Sequence, residues 1–180
     1  MEKWLIILGV VVFVVLVVLF IPSDKELNDE LSGGNMKIQT VFENNGKIPV
    51  KYTCDGEDVS PPITVTDVPS GTVALAVVCD DPDAPAGTWV HWLLWNIPVS
   101  GDSLTIEENT APGVSGRNSF KKLSYGGPCP PSGTHRYFFK VYALDSELGL
   151  EEGASSLELE NAMQGHLLDK AEIVGLYSRE

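Results

Sequence analysis

The sequence predicts a mostly β domain with one late helix, and three observations carry that prediction. From Met36 onward apolar residues recur at period two, broken by turn residues. The strongest apolar runs are rich in aromatic and β-branched side chains, which suit a pleated sheet. Only one stretch, near the carboxyl end, combines helical spacing with a capping signature.

The elements follow in order. "MKIQTVFENNGKIPVKYT", 36 to 53, reads as strand, Asn-Asn-Gly turn and strand, because Asn-Gly is a strong hairpin signal. "TVALAVVCD", 72 to 80, is continuously apolar and is expected at the centre of a sheet. In "TWVHWLLWNIP", 88 to 98, strict alternation would put His91, Leu93, Trp95 and Ile97 on one face and Val90, Trp92 and Leu94 on the other. "HRYFFKVYAL", 135 to 144, is a further strand, with His135, Tyr137, Phe139 and Val141 together. Residues 101 to 134 are rich in Gly, Pro and Ser and read as a long excursion of the kind that often carries function. Ser155 with Glu158 opens a helix whose apolar positions are Leu159, Met163 and Leu167, and "EIVGLYS", 172 to 178, returns to strand.

The chain divides into segments 1–22, 23–35 and 36–180. "WLIILGVVVFVVLVVLFI", 4 to 21, has no charge, and eighteen residues at about 1.5 Å each approach the bilayer thickness. It reads as one transmembrane anchor, with a cleaved signal as the alternative, and 23–35 as a polar linker. Lys3 before the segment and the acids of "SDKELNDEL" after it favour a single-pass membrane protein with the carboxyl-terminal domain outside the cytoplasm.

Composition narrows the partners. The net charge is −13, with three arginines in 180 residues, which argues against nucleic acid. "YGGPCPPSG" has no Walker lysine and opens no helix, so no nucleotide loop is indicated, and no cofactor motif is present. His166 stands by itself on the predicted helix and reads as a surface or packing residue.

"DDPDAP", 80 to 85, is more acidic and more rigid than a turn requires. With His91, "YGGPCPPSGTH" and the pair His135 and Tyr137 it gathers carboxylates, imidazoles and a glycine-rich rim at predicted strand ends. Such groups suit anion binding or acid–base chemistry. The aspartates could equally be turn residues, and His91 a hydrogen-bonded core histidine. Two rivals stay open: a small hydrolase using Asp81, His91 and His135, and a metal site from His91, His135 and a carboxylate.

"DPDAP" at 81 to 85, "HW" at 91 and 92 and "GGPCPPSGTHRY" at 126 to 137 together resemble the phosphatidylethanolamine-binding protein family, in its bacterial and archaeal Raf-kinase-inhibitor-like branch. "YTCDGEDVSPP", "GRNSF" and "YALD" fit the same branch. The resemblance implies a large central antiparallel sheet packed on a smaller one, with a C-terminal helix and a pocket for phosphoryl head groups. Carried over by position, its pocket falls on Asp81, Asp83, Pro85, Trp89, His91, Cys129, Pro130, Pro131, His135 and Tyr137, without a metal. It implies a non-enzymatic domain that binds a small anionic or phosphorylated ligand, and a regulator or inhibitor of a kinase or protease whose identity the sequence does not name. Asp81 and Asp83 would orient His91, His135 or rim amides and keep the histidines protonated.

Cys54, Cys79 and Cys129 allow three pairings. Cys79 ends an apolar strand and reads as a buried thiol, whereas Cys54 and Cys129 sit in turn-rich segments. A Cys54–Cys129 disulfide is therefore the pairing expected in an oxidising compartment.

Overall fold

The computed structural model describes residues 34–179. The segments 1–22 and 23–33, and with them the expected anchor and most of the linker, lie outside those residues. The expectation of a single-pass membrane protein is corrected: among the described residues no helix is long and apolar enough to cross a membrane.

Among the described residues nine strands form two sheets. The larger has the order β2 (Gly46–Lys47), β9 (Leu167–Ser178), β8 (Thr134–Leu144), β4 (Ala74–Asp81), β5 (Trp89–Pro98), β7 (Val114–Ser115), antiparallel except where β2 runs parallel to β9. The smaller is β1 (Lys37–Gln39), β3 (Ile63–Thr66), β6 (Ser103–Ile106), all antiparallel. The apolar run 74–81 lies between β5 and β8 with every residue buried, as its lack of alternation requires. One face of the large sheet packs Val77, Cys79, Trp92, Phe139 and Val141 against Ile63, Val65 and Ile106 of the smaller sheet. The other face packs Ala76, Val78, Leu93 and Trp95 against Leu159 and Met163 of α1 (Ser156–Met163).

Three local expectations change. The Asn-Asn-Gly turn exists, with Asn45 at φ 61°, but it joins strands of different sheets and makes no hairpin. Its polar atoms dock on β9 instead: the Asn45 amide donates to the Val174 carbonyl at 2.7 Å, and the Val174 amide donates to Asn44 Oδ1 at 2.9 Å. Helix α1 has its capping box at Ser155 and Glu158 but stops at Met163. Gly165, at φ +79°, turns the chain so that Leu167 opens β9, and His166 lies past the helix with Nδ1 2.8 Å from Asp145.

The third change concerns β5. Its register against β4 slips twice: Leu75 faces Ile97 while Val77 faces Leu94, and Cys79 faces Trp92 while Asp80 faces Val90. Asn96, at φ 53°, accompanies the first bulge, and His91 is the extra residue of the second. Ile97 therefore joins Trp92 and Leu94 in one core, and Val90 joins Leu93 and Trp95 beside the other. The simple alternation expected over 90–97 is corrected by these two insertions.

Candidate functional site

Three antiparallel strands bring their ends together: Asp81 closes β4, Trp89 and His91 open β5, and His135 and Tyr137 open β8. Between them lies a cavity of about 330 Å³, completed by Ala84, Pro85 and Ala86 of the acidic corner, Phe120, and Cys129, Pro130 and Pro131 of the rim. That volume is at the small end of the range for ligand sites.

The second bulge aims His91. Its ring lies edge-on to Tyr137 and Phe120, with centroids 5.2 and 5.4 Å away, and only 2% of the residue is exposed. Gly126 holds it at both ends: its amide donates to the His91 carbonyl at 3.1 Å, and His91 Nδ1 donates to the Gly126 carbonyl at 2.6 Å. Burial draws the imidazole below its ordinary pKa, despite the opposing pull of the Gly126 bond and of Asp81. Desolvation of the cation thus opposes protonation of His91 more strongly than the nearby carboxylates favour it.

His135 is held differently. Its Nδ1–H donates to Asp81 Oδ2 at 2.7 Å, and both side chains are buried. The second oxygen of Asp81 accepts the Asp83 amide at 2.8 Å, which fixes the turn after β4. Tyr137 is fully buried, and its hydroxyl makes no well-formed hydrogen bond, with the Cys129 amide its nearest backbone influence. Burial, reinforced by Asp81, pushes that phenol far above its usual range, so it remains a proton donor.

Every sequence-predicted site residue but Asp83 lines the cavity. Asp83 faces Arg136 instead, accepting from the Arg136 amide at 3.0 Å, Nε at 2.9 Å and a terminal nitrogen at 2.7 Å. The bidentate guanidinium lowers the Asp83 carboxyl to about 2. Asp80 also turns away, pairing with Lys140 at 2.6 Å. The metal reading is not supported: among the described residues no group of three or more His, Cys, Asp or Glu could hold an ion.

The rim is stapled to the turn at 52–58. Cys54 and Cys129 form a disulfide, with Cα atoms 5.4 Å apart, and Cys79 is a free buried thiol. Around it the Cys54 amide donates to the Pro128 carbonyl at 3.1 Å, the Gly127 amide to Asp58 Oδ1 at 2.6 Å and the Tyr125 hydroxyl to the Tyr52 carbonyl at 2.9 Å. A side chain at Gly127 would meet the Tyr52 carbonyl at 2.7 Å, so the close approach requires glycine.

Sequence reasoning missed Ala84, Ala86, Phe120 and the residues that hold Phe120. Asn118 Nδ2 donates to the His91 carbonyl at 3.2 Å and to the Ser124 carbonyl at 2.8 Å, while its Oδ1 accepts the Lys122 amide at 3.0 Å. Ser119 clamps the other side of the bulge, with Oγ accepting the Val90 amide at 2.9 Å. The signal was "GRNSF", polar residues beside an aromatic one in a loop, but nothing in it showed that β5 was its neighbour.

Comparison with known proteins bears on the family and the fold. The family model described as phosphatidylethanolamine-binding protein matches residues 38–178. A UPF0098 protein of Methanothermobacter thermautotrophicus is 49% identical over 152 residues, covering 80% of this chain and 99% of its own. Another, from Chlamydia muridarum, is 40% identical over 149 residues, with coverage of 77% and 95%. Among solved structures, a phosphatidylethanolamine-binding protein homolog from Chlamydia trachomatis superposes with a TM-score of 0.76 at 36% identity, covering 81% of this chain and 98% of that one. E. coli YbcL, described as a member of the mammalian family, gives 0.73 at 29% identity, with coverage of 81% and 99%. The chain belongs to the phosphatidylethanolamine-binding protein family.

Proposed function

We propose that this domain binds a small anionic ligand, with a phosphoryl group seated between Tyr137, His135 and His91. The observation that carries the reading is the Tyr137 hydroxyl, fully buried on the wall of a cavity with no well-formed hydrogen bond. A buried donor without a partner costs about 1–3 kcal/mol, so the fold bears that cost for something that completes the bond. An oxygen of the ligand would do so. The amide of Cys129 on the rim would supply a further donor, and His135, its Nδ1–H held by Asp81, forms another wall. The outer walls formed by Pro85, Trp89 and Pro130 leave room for the organic part of the ligand.

Regulation of a kinase or protease, which the family resemblance suggests, would place this cavity at the contact or make its occupancy the signal. The ligand-binding reading stands without that step.

Tyr137→Phe tests the reading, because a structural and a ligand-directed hydroxyl give opposite results. If the hydroxyl serves the ligand, the variant is as stable as the parent or more so, and loses about tenfold in affinity for phosphate. Phosphate titrations followed by NMR, with urea unfolding alongside, measure both. Unchanged phosphate binding, or no binding by the parent, would remove the proposal.

A further inference from the structure

Apart from the cavity at the ends of β4, β5 and β8, a second one of about 270 Å³ opens beside the last residues of β9, lined by Lys47, Val50, Asp55, Tyr177, Ser178 and Arg179. Its one carboxylate is already engaged. Asp55 Oδ2 accepts the Tyr177 hydroxyl at 2.8 Å, and Arg179 Nε lies 3.2 Å from each Asp55 oxygen. A terminal nitrogen of Arg179 adds a contact at 3.1 Å. The guanidinium thus meets Asp55 along one edge, and its remaining N–H groups make no hydrogen bond to a described residue. Lys47 is the second cation of the cavity. Lys37, Lys51, Arg136, Lys140, Lys170 and Arg179 each pair with a carboxylate, whereas Lys47 makes no ion pair with any described residue.

Lys47 and Arg179 against Asp55 leave the lining with a single positive charge, a local reversal of sign in a chain of net charge −13. Val50, 48% exposed, gives the same cavity an uncovered apolar side. A ligand that satisfies this lining carries one negative charge, oxygens for the Arg179 edge and the Lys47 ammonium, and a short apolar part. We propose that the second cavity binds a small aliphatic monocarboxylate, its oxygens held by Lys47 and Arg179 and its chain against Val50. A phosphate dianion is disfavoured, because its second charge has no counterpart and Asp55 opposes it. The two cavities share a wall. Cys54, next to Asp55, is bonded to Cys129 of the first, and Tyr177 of the second pairs with His135 of the first across β8 and β9.

Butyrate, butylammonium and inorganic phosphate, titrated into the full chain and followed at the backbone amides by NMR, test this and report on both cavities. The titrations are run at constant ionic strength and a mildly alkaline pH, where phosphate is a dianion. Butyrate is expected to shift the Lys47, Ser178 and Arg179 amides saturably, butylammonium to leave them unmoved, and phosphate to bind there less tightly. Lys47→Ala should weaken butyrate about fivefold, the upper scale for an ion pair open to solvent, and Lys47→Arg should restore it. Butyrate shifts confined to Trp89, His91 and His135 would assign the carboxylate to the first cavity and overturn the proposal. So would the absence of any saturable shift, binding indifferent to Lys47→Ala, or phosphate binding at this site as tightly as butyrate. The reading of the first cavity stands or falls separately, on Tyr137→Phe.

Discussion

Asp81 and His135 form a buried pair, 2.7 Å apart, in which each side chain is fixed by the other and by its own strand. The same carboxylate caps the turn into the acidic corner through the Asp83 amide. One residue therefore orients an imidazole at the cavity and shapes a wall of it.

Asp81→Asn keeps the size of the side chain and removes the charge. We expect a loss of about 2 kcal/mol in urea unfolding, the usual scale for a hydrogen bond to an ionised group. Phosphate affinity is expected to fall with it, and the ¹⁵N resonances of the His135 ring to shift as Nδ1 loses its carboxylate. Unchanged ring resonances would mean that Asp81 does not set the tautomer.

Stability should depend on pH through His91, and the sign follows from its depressed pKa. The unfolded ring titrates near 6.5, so below that pH the unfolded state takes up a proton that the folded state resists. The His91 contribution is complete above about 6.5 and is lost progressively as pH falls toward the folded value. Asp83 acts in a separate acid window: its folded value of about 2 is below the unfolded one, near 3.9, so its contribution disappears as pH falls between them. Urea midpoints measured across pH should show the upper step in the parent and in Asp83→Asn, with the lower step reduced only in that variant.

Reducing the Cys54–Cys129 disulfide opens a link between residues 75 apart in sequence. Loop-closure entropy puts its contribution at roughly 4 kcal/mol. Urea unfolding with and without reductant should show a loss of that order, and hydrogen exchange at the Cys54 and Gly127 amides should accelerate as the rim loosens. No difference between the two states would assign the rim's rigidity to the surrounding hydrogen bonds.

Asn118→Ala leaves the Ser124 carbonyl and the Lys122 amide without their side-chain partner and removes a bond to the His91 carbonyl. A cost of about 2–3 kcal/mol is expected. Phe120, two residues away, should lose its fixed position against His91, visible as altered ring-proton shifts of both residues. A variant that loses stability while those shifts stay put would limit Asn118 to holding its own loop.

Period-two patterning was enough to find β8 and its buried face, because that strand pairs with β9 in unbroken register from Thr134 to Ala143. It failed on β5, where an extra residue has no compositional mark and each bulge inverts the alternation. The Asn-Asn-Gly turn was legible as a turn but its partner was not, since local chemistry bends a chain without saying which sheet edge receives it. The clustered Asp, His and Pro residues pointed to a site, while the family resemblance supplied Trp89, Cys129 and most of the other lining positions. Asp83 was misplaced because carboxylate clustering does not tell which member meets an arginine, and Phe120 was missed because its neighbours come from distant sequence.

The two insertions in β5 behave like a frameshift and its suppressor. Between them, over 92–95, even positions face the small sheet; outside them odd position 97 does, and Val90 points the other way. Deleting His91 would therefore do more than remove an imidazole. With one phase change uncompensated, the strand before it would turn over, exchanging the directions of Trp89 and Val90 and carrying a wall of the cavity to the opposite face. The strand's phase and the placement of the histidine can change only together.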